Sequence, residues 1–258
     1  MLRGLMSKKD NTVSAALVII GNEILSGRTQ DANLNYLAKQ LTSMGIQMSE
    51  VRAIRDDTDE IIDAVNSLRK RFDYVFTTGG IGPTHDDITC ESIAKAFGRK
   101  YILNLEAKTI LEEYYDGSSR ELNEARLRMA YTPEGASLIE NPVSRAPGFM
   151  VENVIVLAGI PAVMRAMFES LAPTLRTGKK VLSRSISVMT GEGDIARSLA
   201  NIQKSWETVE IGCYPFVRDG KYGTTLVLRG SDKVSLDGAH KNLLQAMEKI
   251  GVTPEIDK

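Results

Sequence analysis

Residues 16–20 are a continuous apolar run closed by Gly21, and they open an alternation of strand and helix signals that few folds accommodate. A short run of this kind is a strand buried on both faces. Residues 31–44 follow, with Leu34, Leu37, Ala38, Leu41 and Met44 at helical spacing and Gly45 at the position of a C′ residue. Residues 46–55 read as a second strand. Residues 59–72 read as a helix with Ile61, Ile62, Val65, Leu68 and Phe72 on one side. Residues 74–78 read as a third strand ending in Gly79-Gly80, and residues 87–97 as a helix closed by Gly98. A βαβαβα order requires a parallel sheet with helices on both faces and right-handed crossovers. Ligands of such sheets bind beyond the carboxyl ends of the strands. The loops after Ile20, Arg55 and Thr78 should therefore converge on one rim.

The remaining pattern is less regular. Residues 105–129 are rich in helix signals, residues 136–139, 149–151 and 154–157 read as short strands, and residues 163–175 as a helix after Pro161. Pro173 and the polar run Thr177-Gly178-Lys179-Lys180 mark a boundary. Beyond it, a strand (181–189), a helix (194–206), two strands (208–216 and 224–229) and a helix (235–250) form a βαββα module. The expected fold is an α/β three-layer sandwich with a mostly parallel sheet, followed by a small C-terminal α+β module. The expected divisions are a loose tail at 1–14, the main domain at 15–176 and the module at 177–258. Neither an internal repeat nor a low-complexity segment is present.

Composition excludes several classes. The 258 residues are 43% hydrophobic and 25% charged, enough for a core without metal or disulfide support. A formal net charge of -1 argues against broad binding to nucleic acid. Cys90 and Cys213 have no CxxC spacing, which argues against zinc and a disulfide framework and fits a reducing cytoplasm. His85 and His240 are the only histidines, so a multi-histidine metal site is excluded. The run 15–20 is too short for a signal or membrane segment.

The chemistry concentrates in Thr77-Thr78-Gly79-Gly80-Ile81-Gly82-Pro83-Thr84-His85-Asp86-Asp87-Ile88-Thr89, between a strand and a helix. Glycines permit positive φ and close approach of a ligand. Free amides at the helix start favour an anion, and the hydroxyls of Thr78, Thr84 and Thr89 are possible further donors. The loop is neither a Walker A loop nor a GxGxxG fingerprint. The plain alternative is a tight turn with an ordinary cap. Asp86 and Asp87 beside a phosphate would repel it unless a cation intervenes, and hard oxygen ligands suit Mg²⁺ or Mn²⁺. The alternative is that one of the two caps the following helix. His85 is either an acid or ligand, or a solvated loop histidine.

Glu23, in Gly21-Asn22-Glu23-Ile24-Leu25, lies in a rim loop and is a candidate ligand or metal contact. Asp31 is a natural N-cap, and Asp56-Asp57 is either functional or a solvated turn. Arg145, in Ser144-Arg145-Ala146-Pro147-Gly148, suits carboxylate or phosphate recognition; a surface arginine is the alternative. Trp206 reads as core.

Together these residues resemble the MogA/MoaB-like molybdopterin-binding superfamily, through Thr78-Gly79-Gly80-Ile81-Gly82, Ser144-Arg145-Ala146-Pro147-Gly148 and Leu157-Ala158-Gly159-Ile160-Pro161. Gly21-Asn22-Glu23-Ile24-Leu25, the loop through Thr89, and Asn123-Glu124-Ala125-Arg126-Leu127-Arg128-Met129-Ala130 resemble the CinA N-terminal branch, which also forms the first domain of some FAD synthases. The resemblance spans about residues 16–175, and the second module looks like the region that follows in CinA-type proteins.

The resemblance implies a fold that usually oligomerises and a small nucleotide or pterin ligand, with no nucleic-acid or membrane partner. Carried over, Gly79, Gly80, Gly82 and Thr84 would contact phosphate, Asp87 and Asp56 would be the essential carboxylates, Asp86 and Asp87 would face the metal, and Ser144 and Arg145 would hold the ligand's anionic end. The branch implies hydrolysis of nucleotide diphosphates such as ADP-ribose or FAD, dependent on Mg²⁺, Mn²⁺ or Co²⁺. Molybdopterin binding or adenylylation is the second reading, and a non-catalytic binding or oligomerisation domain the third. Neither the nicotinamide-nucleotide amidase of full CinA proteins nor the adenylyltransferase of FAD synthase is expected from these residues.

Overall fold

The computed structural model describes residues 12–116 and 119–256. The chain divides into two compact units, Met1–Gly178 and Lys179–Lys258. The first runs β1 (Val13–Ile20), α1 (Asn22–Leu25), α2 (Asn33–Ser43), β2 (Ile46–Ile54), α3 (Thr58–Leu68), β3 (Tyr74–Thr78), α4 (Thr89–Ala96), β4 (Tyr101–Leu103), α5 (Leu105–Tyr115), α6 (Glu124–Leu127), β5 (Tyr131–Pro133), β6 (Ser137–Ile139), β7 (Gly148–Val151), β8 (Val154–Leu157) and α7 (Pro161–Leu171).

Six strands form one sheet in the order β2-β1-β3-β8-β7-β6. The first four are parallel; β7 is antiparallel to both of its neighbours. Successive residues of a strand face opposite sides, and β1 uses both. Ala15, Leu17 and Ile19 join one core with Leu37, Leu41, Phe76, Met164 and Phe168, under α2 and α7. Ala16, Val18 and Ile20 join the other with Ile61, Val65, Leu68 and Ile93, under α3 and α4. Two cores on one sheet make the three-layer sandwich, and they explain why residues 15–20 of β1 are all apolar.

The tail expected at 1–14 falls mostly outside the described residues, except at its end. Val13 is buried and pairs with Ile46. The amide and hydroxyl of Ser14 donate to Asp73 Oδ2 at 2.8 and 2.9 Å. Satisfied backbone and burial extend β1 to Val13. A separate ribbon of β4 and β5 was not anticipated.

The chain visits β1, then β2 on one side, then β3 on the other. The two crossovers leave the sheet edge in opposite directions, so a crevice opens past the carboxyl ends of β1 and β3. The loops after Ile20 and Thr78 meet there.

The second unit runs β9 (Leu182–Val188), α8 (Glu192–Ser205), β10 (Glu210–Arg218), β11 (Lys221–Gly230), α9 (Lys233–Lys249) and β12 (Pro254–Ile256). Its antiparallel sheet has the order β10-β11-β9-β12, a split βαβ arrangement that the last short strand completes. Ile186, Val188, Leu226 and Leu228 pack against Ile195, Leu199, Leu236 and Leu243. The Trp206 ring lies on α9 at Gly238, where a Cβ would stand 2.3 Å from the indole.

Candidate functional site

The crevice is a cavity of about 660 Å³, within the range of small-molecule sites. Its wall carries Glu23, Asp56, the loop from Gly79 to Pro83, Asp86, Asp87, Arg120, Arg126 and Ser144. Glu23, Asp56, the glycine loop and Gly159, up to 136 positions apart in sequence, meet at one rim because the parallel strands β1, β2, β3 and β8 deliver their loops to the same end.

The loop's shape depends on two glycines. Gly79 has φ +105°, and a Cβ there would lie 2.1 Å from the Ile20 carbonyl oxygen. Gly80 has φ +67°, and a Cβ there would lie 2.2 Å from Thr89 Oγ1. Only glycine fits such positions without strain. Thr89 is fully buried, and its hydroxyl donates to the Gly79 carbonyl at 2.9 Å, while its amide donates to the Gly80 carbonyl at 3.0 Å. The amides of Gly80, Ile81 and Gly82 meet no acceptor among the described residues. Successive unpaired amides in a concave loop form an anion cradle.

The expected threonine donors do not serve this cavity. Thr78 and Thr89 are buried behind the loop. Thr84 does not line it; its amide donates to Asp87 Oδ2 at 2.8 Å, and its hydroxyl donates to the same oxygen. The expectation that Asp86 or Asp87 caps a helix fails, because α4 starts only at Thr89 and its first amide is taken by Gly80. Hydrogen bonding to Thr84 holds the exposed Asp86 carboxyl below its ordinary range. His85 is solvated, 97% exposed at the side chain.

On the neighbouring loop, Asp56 and Asp57 divide their work. Asp57 caps α3, accepting from the amides of Asp59 and Glu60 at 3.0 and 3.1 Å. Asp56 faces the cavity and accepts from the Asn22 amide at 2.8 Å, which ties the β2 loop to the β1 loop. Asp31 accepts from the Leu34 amide at 2.8 Å, as a helix cap. Asn33 donates to the Gly159 carbonyl at 2.8 Å and fixes the loop after β8.

Ser144 lines the cavity, but Arg145 does not. Asn141, 2% exposed, organises this turn: its amide nitrogen donates to Ser144 Oγ and the Ala146 carbonyl, and its oxygen accepts from the amides of Val143 and Ser144. Arg145 has φ +60°, and the left-handed backbone turns its side chain toward Glu140, 3.8 Å away, in an adjoining cavity.

Sequence reasoning gave no role to the wall opposite the loop. Arg126 and Met129 line the cavity, and Arg128 donates to the Thr84 carbonyl at 3.0 Å. All three lie in the segment from Asn123 to Ala130, singled out only as a motif. Four carboxylates face two guanidiniums in this cavity, an acidic excess. Among the described residues no three His, Cys, Asp or Glu side chains gather as a metal cluster. The partly buried Cys90 holds its proton at neutral pH, because burial, with the Asp87 charge, pushes its thiol up to about 12. No helix among the described residues is long and apolar enough to cross a membrane.

Comparison with known proteins identifies the family of each unit. Residues 16–177 match the family model described as "Probable molybdopterin binding domain", and residues 180–255 match "FAD synthase, middle domain". A protein of Archaeoglobus fulgidus is 36% identical over 87% of this chain and 94% of its own length. A "CinA-like protein" of Kosmotoga olearia is 30% identical over 93% of this chain, which spans only 60% of that relative's length. The crystal structure of "the protein CinA with unknown function" from Thermoplasma acidophilum superimposes with a TM-score of 0.58 at 34% identity, covering 62% of this chain and 98% of that one. The chain belongs to the family of probable molybdopterin binding domains, as a CinA-like member whose second unit matches the FAD synthase middle domain.

Proposed function

We propose that the first unit is a divalent-metal-dependent nucleotide pyrophosphatase, acting on diphosphates of the ADP-ribose or FAD kind. The observation that carries this reading is the meeting of an anion cradle and an acidic excess in one cavity. An anion cradle alone would suit phosphate binding. Asp56, Asp86 and Asp87 beside it would repel phosphate by like charge unless a cation lay between.

The donor set fits such an ion. Mg²⁺ is commonly held by one or two carboxylates together with substrate phosphate oxygens and water, without a cage of protein ligands. Asp86 and Asp87 would hold it. When bound, the metal would neutralise charge on the diphosphate and lower the pKa of a coordinated water. The loop amides of Gly80, Ile81 and Gly82 would orient the phosphate oxygens and stabilise charge that grows in the transition state. Water would attack one phosphorus, the bridging P–O bond would break, and two phosphomonoesters would leave. The Asp56 carboxylate would accept the water's proton. Arg120 and Arg126 would balance the leaving phosphate's charge.

The purified chain incubated with ADP-ribose or FAD and Mg²⁺, Mn²⁺ or Co²⁺ should release AMP, and Asp87→Asn or Asp56→Asn should reduce the rate at least 100-fold, on the order of a general base's contribution. No AMP with any of these metals refutes the reading. The apolar side of the cavity, Ile81, Met129, Val163 and Met167, favours one second reading, a pterin binder. Tight pterin binding without AMP release would establish that one. The family likeness adds the expectation of a homo-oligomer, checked by light scattering.

A further inference from the structure

We propose that Thr84 and Arg128 are positioning residues for Asp87: Thr84 occupies one carboxylate oxygen and leaves the other to a cation, and Arg128 holds Thr84 from the wall opposite the loop. The inference deepens the reading above and rests on it for the cation itself.

The Asp87 side chain is seated by its own loop. The amide and the hydroxyl of Thr84 both donate to Oδ2, so two donors converge on one oxygen. Oδ1 accepts no hydrogen bond among the described residues. The carboxylate lies against Gly82, where a Cβ would stand 2.6 Å from Oδ2 and 3.0 Å from Oδ1. Gly82 lacks the positive φ of Gly79 and Gly80, so its missing side chain makes room for the carboxylate and the backbone alone does not require it. Asp87 lines the cavity, and Oδ1 is the oxygen it has left to offer there. Hydrogen bonds to the outer side of a ligating carboxylate orient it and are a regular part of metal sites.

Arg128 enters from outside the loop, 44 positions further along the chain. Its Nη1 donates at 3.0 Å to the Thr84 carbonyl, an oxygen that also accepts the Asp87 amide at 3.3 Å. Its acceptor is therefore neutral backbone between the glycines and the aspartates. Arg128 opens the single turn Arg128–Ala130 that follows α6. Asn123 caps α6, accepting from the Arg126 amide at 3.0 Å. At the other end Ala130 is fully buried, and its carbonyl accepts from the Asn104 amide at 2.9 Å. The guanidinium thus hangs from a platform tied at both ends, which gives the segment from Asn123 to Ala130 a task at the site. Charge and position make opposite demands on this residue. A guanidinium acting through its charge alone repels a cation, and its removal would tighten metal binding. One acting by holding Thr84 favours the cation, and its removal weakens binding.

The experiment measures binding of Mn²⁺ alone to the full chain, from the electron paramagnetic resonance signal of the free ion. Thr84→Val should weaken Mn²⁺ binding about 10–100-fold, the usual cost of losing an outer partner of a metal ligand, and Thr84→Ser should restore it. Thr84 is exposed, so both replacements should keep the fold, which circular dichroism checks. Arg128→Met should weaken binding as well. Combined with Thr84→Val, it should lose less than the product of the two single losses, because both residues act on one carboxylate. Unchanged affinity in Thr84→Val, tighter binding in Arg128→Met, or losses that simply multiply overturns the proposal. No Mn²⁺ on the wild-type chain overturns it together with the cation of the reading above. Affinity that follows Thr84 and Arg128 as stated, with no AMP released from ADP-ribose, upholds the positioning roles and sinks the pyrophosphatase reading alone. AMP release with Mn²⁺ affinity indifferent to both residues does the reverse.

Discussion

Replacing Gly80 by alanine tests whether the loop is held by the contacts described. Alanine in the left-handed region costs about 1–2 kcal/mol. The new Cβ would lie 2.2 Å from Thr89 Oγ1, where ordinary contact begins at 3.4 Å. The hydroxyl must turn away and lose its bond to the Gly79 carbonyl. A buried partner left unsatisfied costs about 1–3 kcal/mol. The total is about 2–5 kcal/mol. Gly98→Ala is the control: φ there is +61° and nothing lies within 4 Å of a Cβ, so only the backbone cost of about 1–2 kcal/mol applies. Any gain from a stiffer unfolded chain is common to both substitutions and cancels. Hydrogen exchange of the β1 and β3 amides under increasing urea reads the first unit directly. In a Thr89→Ala background the cost of Gly80→Ala should fall toward that of Gly98→Ala, only the residue 89 Cβ contact at 3.2 Å remaining. An equal cost of Gly80→Ala in both backgrounds would refute the steric account.

Two further outcomes are expected. In an open helix Gly238→Ala would stabilise by about 1 kcal/mol, but its Cβ would meet Trp206, so a net loss of about 1–3 kcal/mol from overpacking should appear together with a shift in emission of the single tryptophan; stabilisation with unchanged emission would contradict the packing. Burial raises the Cys90 thiol from near 9 to about 12, so the folded state holds its proton where the unfolded chain releases it, and stability should fall as pH rises from about 9 to about 12. Alkylation of native Cys90 at pH 8 should be on the order of 1000-fold slower than in urea, following the thiolate fraction, and equal rates would contradict the raised thiol.

The parts of the fold legible in the sequence are those where burial imposes a pattern. β3 and β8 are apolar or β-branched throughout because helices cover both faces, and their limits agree with the expected ones. β4, β5 and β12 have three residues each and show no period, whereas the equally short β6 was read at 136–139. The start of α4 was misjudged because its first amide is capped by the Gly80 carbonyl, a backbone group with no signature in residue type. In the candidate site, Glu23, Asp56 and the glycine loop could be placed on one rim, since strand order alone brings them together. Arg145 could not be oriented, because a positive φ at a non-glycine residue leaves no trace in sequence. Tyr115 and Arg126 come from an irregular segment, where neither strand nor helix period says which way a side chain faces.

The most direct measurement is ³¹P relaxation of ADP-ribose bound to the chain as Mn²⁺ is titrated in. The account predicts strong paramagnetic broadening of both phosphate signals on the wild-type protein, and its loss in Asp87→Asn. Broadening that is the same in Asp87→Asn, or an ADP-ribose complex whose phosphates do not sense Mn²⁺, would contradict a cation bridging the loop carboxylates and the diphosphate.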